Sequence, residues 1–85
     1  MMTFKKRLFE KRILITGGSR GLGAAFCECF AQEGAKIAFN YGSDQTGAQR
    51  TLSQLAANNA PALAFQVSVL DSEGLTQMVK EIESA

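Results

Sequence analysis

Four glycines fall within the seven residues 17 to 23 of "ILITGGSRGLGAAF", directly after an apolar run. Fixing a glycine costs more backbone entropy than fixing any other residue. A cluster is therefore offset by a geometry only glycine reaches, or by close approach of a ligand. A turn from a strand into a helix meets both conditions. Its backbone N–H groups point outward, and the helix N-terminus adds partial positive charge that favours a phosphate. In "TGGSRGLG", Gly17 allows a tight exit from the strand and Gly21 lets the backbone approach a pyrophosphate without a Cβ in the way. Gly23 lets the helix pack close to the sheet. The spacing is G-x-x-x-G-x-G. Glycine-rich turns also occur for purely structural reasons, so the context decides. A strand before, a helix after and a second strand ending about twenty residues on favour a nucleotide site. No Gly-Lys-Ser/Thr follows, which excludes a P-loop.

The rest of the chain alternates strand-length and helix-length patterns. "RILIT" (12–16), "KIAFN" (36–40) and "ALAFQVSV" (62–69) are short apolar runs bounded by Gly, Pro or Asn, as buried parallel strands are. The first helix is expected over about Leu22 to Glu33, with Leu22, Phe26 and Phe30 four apart and Ala25 and Cys29 beside them. Gly34 ends it in a left-handed conformation. The second covers Gln45 to Ala57, with Ala48, Leu52, Leu55 and Ala56 on one face, and stops in the breaker cluster "NNAP". The third starts after Asp71, an N-cap, and its Leu75, Met78, Val79 and Ile82 follow helical spacing. The order β-α-β-α-β-α with right-handed crossovers implies a parallel sheet in the order 3-2-1. The expected class is α/β, the first half of a Rossmann-type doubly wound fold.

Composition narrows the partners. Eighty-five residues, 46% hydrophobic and 20% charged, make one small globular domain over residues 1–85. The net charge of +1 argues against nucleic acid or an anionic membrane, and no apolar run approaches a membrane span. Lys5, Lys6, Arg7, Lys11 and Arg12 crowd the start. Lacking an amphipathic stretch and a cleavage site, they read as a solvated lead-in to the first strand rather than a targeting segment. Cys27 and Cys29 lie two apart on a helix, about 200° around it, so they cannot pair with each other. No histidine is present to complete a zinc site. They are expected to be packing residues of a reducing, cytoplasmic protein.

"TGGSRGLG" after "ILI", followed by "FAQEGAKIAFNY", resembles the start of a short-chain dehydrogenase/reductase. Within that family the likeness is to the 3-oxoacyl-[acyl-carrier-protein] reductases of fatty-acid synthesis and their relatives, and it runs from Lys11 to Glu83. The resemblance implies a cofactor loop at Gly17, Gly18, Ser19, Arg20, Gly21, Leu22 and Gly23. It implies a cofactor-selecting strand end at Asn40, Tyr41, Gly42 and Ser43. NAD-preferring members hold the ribose hydroxyls with an acidic residue there, whereas this chain has Tyr41. The missing carboxylate and the presence of Arg20 imply NADP(H). A second arginine common in NADP-binding relatives is replaced by Gly42. Asp44 either takes the acidic role or caps the second helix, the latter agreeing with its N-cap preference. At the third strand's end the family's Asp-Val beneath the adenine becomes Ser68-Val69. There a hydroxyl either bonds the adenine edge or simply ends the strand.

The family's Asn-Asn-Ala-Gly, Ser and Tyr-x-x-x-Lys elements are not found in residues 1–85, and the only tyrosine, Tyr41, has no lysine four positions on. The chain thus resembles the first third of a family member, expected to be a fragment or a truncated product. With no catalytic residue of its own, it would hold the dinucleotide cofactor of an enzyme reducing an acyl or other ketone by hydride transfer. A non-catalytic nucleotide-binding or assembly module is the alternative. A flavoprotein start fits less well, since G-x-G-x-x-G is more usual there. The unpaired apolar edge of "RILIT" leads to an expectation of self-association or homo-oligomers.

Overall fold

The run KIAFNY, apolar at consecutive positions, has the pattern of a strand covered on both faces, and it becomes the middle of the sheet. A computed structural model describes residues 10–84, so Lys5, Lys6 and Arg7 lie outside the described residues. The elements are β1 (Arg12–Thr16), α1 (Gly21–Gln32), β2 (Lys36–Tyr41), α2 (Gln45–Ala57), β3 (Leu63–Gln66) and α3 (Ser72–Ser84). The strands are parallel in the order β1-β2-β3, with Ile15 beside Phe39 and Asn40 beside Phe65. This is the expected order and class. Ile37, Ala38, Phe39 and Asn40 are all buried, so neither face of β2 meets water.

One core cluster joins Ile15, Ile37 and Phe39 of the sheet to Cys27 and Ala31 of α1 and Ala48 and Leu55 of α2. Helix limits follow their caps. Asp44 precedes α2, and its Oδ1 accepts the Gly47 N–H at 3.0 Å, which is the capping role. Asp71 does the same for α3 through the Gly74 N–H. Gly34 closes α1 with φ of +94°.

Three expectations shift. α1 buries the small residues Cys27 and Ala31, whereas Leu22 and Phe26 are exposed. Phe26 stacks on the half-buried Phe30, with ring centroids 5.8 Å apart, so the aromatic pair partly shields itself. Cys29 is also exposed and is not a packing residue. β3 ends at Gln66 rather than reaching Val69. The Ser68 hydroxyl accepts the Leu70 N–H at 3.1 Å, a local bond that turns the chain toward α3. The inward face of α2 is Gly47, Ala48, Thr51 and Leu55, rotated from the expected stripe, and Ala56 is exposed.

Candidate functional site

β1 delivers the chain to the C-terminal end of the sheet, and residues 17–20 form the turn into α1, which opens at Gly21. Ligands of open parallel α/β sheets bind outside the carboxyl ends of the strands, and the turn lies at that end. Gly17 and Gly21 both have positive φ, +71° and +59°. At Gly21 a Cβ would meet open space, so the backbone there is accessible as well as left-handed. At Gly23 a Cβ would strike the Gly17 carbonyl, so its absence lets the first turn of α1 close over the strand exit.

The turn is held from below. Gly17 and Gly18 both donate their N–H groups to the Asn40 carbonyl, at 3.0 and 3.1 Å. The Asn40 side chain adds a second tie. Its Oδ1 accepts the Gly17 N–H at 3.1 Å, and its Nδ2 donates to the Val67 carbonyl at 2.9 Å. Asn40 therefore links the glycine turn, the end of β2 and the segment after β3. With 2% of its surface exposed, its amide is engaged inside the fold.

The other expected site residues surround this frame. Gly18 and Ser19 are buried beneath the turn, while Arg20, Gly21 and Leu22 are exposed on top of it. Arg20 is the N-cap residue of α1 with no capping bond from its side chain, which leaves the guanidinium free of that duty. Gly23 is half-buried. At the end of β2, Tyr41 is half-buried beside Phe39, ring centroids 6.5 Å apart, and Gly42 and Ser43 are exposed. Asp44 is the carboxylate that follows them in the chain, and it is engaged at the start of α2. Ser68 and Val69 stand in the exposed turn after β3.

Two residues that sequence reasoning passed over complete the site. Thr51, buried in α2, donates its hydroxyl to the Gly18 carbonyl at 2.8 Å. Gly47, a turn earlier, is packed so closely that a Cβ would strike the Ser19 carbonyl. A buried threonine on a helix face otherwise apolar was the available signal.

The arrangement can hold an anion. The N–H groups of Gly21, Leu22 and Gly23 open α1 and have no intrahelical acceptor. Their partial positive charge and the exposed Arg20 lie in one short stretch. The residues present fit the diphosphate of a dinucleotide. A large cleft lies elsewhere among the described residues. About 710 Å³ in volume, it opens at the starting ends of the strands between Arg12, Lys36, Leu63 and Ile82. It is predominantly apolar, its polar lining being Arg12, Lys36, Asn58 and Asn59, and it lies at the opposite end of the strands from the glycine turn, so we place the site at the turn. Among the described residues no group of His, Cys, Asp or Glu could hold a metal ion.

The family model described as short chain dehydrogenase matches residues 11–85. Versicolorin reductase 1 of Aspergillus parasiticus is 35% identical over 80 residues, covering 94% of this chain and 30% of that protein. A 3-oxoacyl-[acyl-carrier-protein] reductase of Staphylococcus aureus is 32% identical over 74 residues, covering 87% of this chain and 30% of its own length. Among solved structures, a short chain dehydrogenase of Burkholderia cenocepacia in complex with NADP superimposes with a TM-score of 0.87 at 35% identity. That match covers 92% of this chain and 32% of the other. The chain thus spans about a third of the length of the proteins it matches. With a glycine turn of this geometry, a parallel β-α-β-α-β-α order and a family match over all but its first ten residues, the chain belongs to the short-chain dehydrogenase/reductase family.

Proposed function

We propose that this chain forms the cofactor-binding part of an NADP(H)-dependent oxidoreductase that reduces a ketone to an alcohol, with 3-oxoacyl thioesters as the substrate class. The observation that carries the cofactor choice is the end of β2. Tyr41, Gly42 and Ser43 offer no carboxylate, and Asp44 is engaged with the Gly47 N–H. A 2′-phosphate meets no fixed negative charge ahead of Asp44, and the exposed Arg20 offers it a charge-assisted partner.

NADPH, when bound, supplies the hydride. The N–H groups at the start of α1 hold its diphosphate, and Gly21 leaves room for close approach. Ser68 keeps its own O–H for the adenine edge while its oxygen accepts from Leu70, and Val69, 60% exposed, offers apolar surface to the ring. Asn40 supports the site from inside. Likeness to the Staphylococcus aureus 3-oxoacyl-[acyl-carrier-protein] reductase supports an acyl ketone, and likeness to a versicolorin reductase supports a reductase of some kind. The two unpaired cysteines agree with a reducing cytoplasm, and no described helix is long and apolar enough to cross a membrane.

Titration with NADPH and NADH tests the cofactor. NADPH is expected to bind more tightly, and Arg20→Ala to weaken NADPH by about 1–3 kcal/mol with little effect on NADH. An equal loss for both cofactors refutes the assignment. A second reading is a nucleotide-binding or assembly module, supported by the edge strand β1, whose exposed Leu14 could pair with another chain. NADPH oxidation dependent on a 3-oxoacyl thioester, assayed on the full-length protein, separates the two.

A further inference from the structure

Two consecutive carbonyls of the glycine turn are directed at one helix. The Gly18 oxygen receives the Thr51 hydroxyl at 2.8 Å, and the Ser19 oxygen lies against Gly47, both partners being in α2. In a trans peptide the N–H points opposite to the C=O of the same plane. The Ser19 and Arg20 N–H groups therefore point away from α2. Neither forms a hydrogen bond among the described residues. Thr51 is 3% exposed, Ser19 8%, and Gly18 is buried, so water does not compete for the Gly18 oxygen.

We infer that Thr51 is a positioning residue for the cofactor. Its hydroxyl fixes the Gly18–Ser19 peptide so that the Ser19 N–H faces the phosphates, and Gly47 gives α2 the close approach this requires. The inference rests on the cofactor reading above and deepens it. A glycine-rich turn has unusual freedom to rotate its peptide planes. Rotation of this plane would present a carbonyl oxygen to an anion where an N–H should stand. A buried hydroxyl anchored on the neighbouring helix removes that alternative before the ligand arrives, which lowers the ordering cost of binding.

The test uses Thr51→Val, which keeps the shape but removes the donor, and Thr51→Ser, which keeps the hydroxyl. Leu55→Ala, one turn along α2 and away from the turn, is the control for lost stability alone. NADPH affinity is measured by titration below every variant's unfolding transition, and the Ser19 amide is followed by NMR without ligand. Thr51→Val is expected to weaken NADPH about tenfold and to shift the Ser19 amide. Thr51→Ser and Leu55→Ala are expected to keep wild-type affinity. NADPH binding unchanged in a folded Thr51→Val protein overturns the role given to Thr51 and leaves the cofactor reading standing. If Thr51→Val does not fold, an affinity loss in Leu55→Ala as large as that in Gly47→Ala overturns it equally. Absence of NADPH binding by the unaltered protein overturns the cofactor reading, and the positioning role with it.

Discussion

Replacing Asn40 by leucine should cost the protein about 2 kcal/mol. The side chain is 2% exposed and makes two hydrogen bonds, one from the Gly17 N–H and one to the Val67 carbonyl. In Asn40→Leu the Gly17 N–H keeps a partner, because the Asn40 backbone carbonyl also accepts it at 3.0 Å. The Val67 oxygen, on a half-buried residue, loses the amide, and a carbonyl left unpaired out of reach of water costs about 1–3 kcal/mol. An 85-residue domain has a total stability of roughly 4–13 kcal/mol at the usual per-residue value, so the loss is readily measured. Asn40→Asp should be worse at neutral pH. Its carboxylate still accepts from Gly17 but turns a second acceptor toward the Val67 oxygen, as a buried charge. The carboxyl pKa in the folded state must then rise above its unfolded value of about 3.9. Where the folded state binds the extra proton, stability is present at low pH and lost as pH rises through the folded value. Urea denaturation of wild type, Asn40→Leu and Asn40→Asp at pH 7 and at about pH 3, the latter below the unfolded carboxyl value of about 3.9, reads both effects. An unchanged midpoint for Asn40→Leu refutes the cost assigned to Val67. A gap between wild type and Asn40→Asp that does not narrow in acid refutes the acceptor–acceptor clash.

The same reasoning reaches other positions. Gly21→Val meets no atom within 4 Å, but at φ +59° a branched residue is strained by about 1–2 kcal/mol. The unfolding free energy from urea denaturation should fall by only that much while NADPH binding is lost, and retained affinity would mean the turn is only structural. Cys27 is fully buried, and burial pushes its thiol from 9.0 up to about 11, a backbone hydrogen bond opposing only in part. Iodoacetamide at mildly alkaline pH should modify Cys29 in the native protein and Cys27 only after unfolding; equal rates would contradict the packing. Because the folded state keeps the Cys27 proton longer, the Cys27 contribution to stability should fall as pH rises from 9.0 toward about 11. A urea-midpoint series in which Cys27→Ala removes that slope checks the sign. β1 is an edge strand of the described sheet, and Leu14 on it is 40% exposed. Sedimentation should show mass rising with concentration and Leu14→Lys should suppress it, whereas a concentration-independent monomer would refute edge pairing.

What was legible in the sequence was whatever local chemistry decides. α2 begins and ends at the expected residues, because Asp44 caps its start and "NNAP" cannot continue a helix. Gly34 ends α1 in the left-handed region for the same kind of reason. Faces and contacts between distant segments were less legible. The four-residue spacing of Leu22, Phe26 and Phe30 marked a buried stripe on α1, yet the structure buries Cys27 and Ala31. Gly23 brings the start of that helix onto the Gly17 carbonyl, and at so short an approach only small side chains fit beneath it. The large ones are left on the outer side, and periodicity alone cannot tell which side that is. Ser68 carries a local signal, since a serine hydroxyl competes for backbone N–H groups and ends a strand. Thr51 shows where a local pattern does point to a distant contact. It stands three residues after Ala48 and four before Leu55, so helical spacing places it on the buried face. A hydroxyl held there needs an acceptor, because burying it unpaired costs more than the helix gains from the position. Spacing therefore requires the bond. Only the right-handed crossover that lays α2 beside the glycine turn makes the Gly18 carbonyl its acceptor.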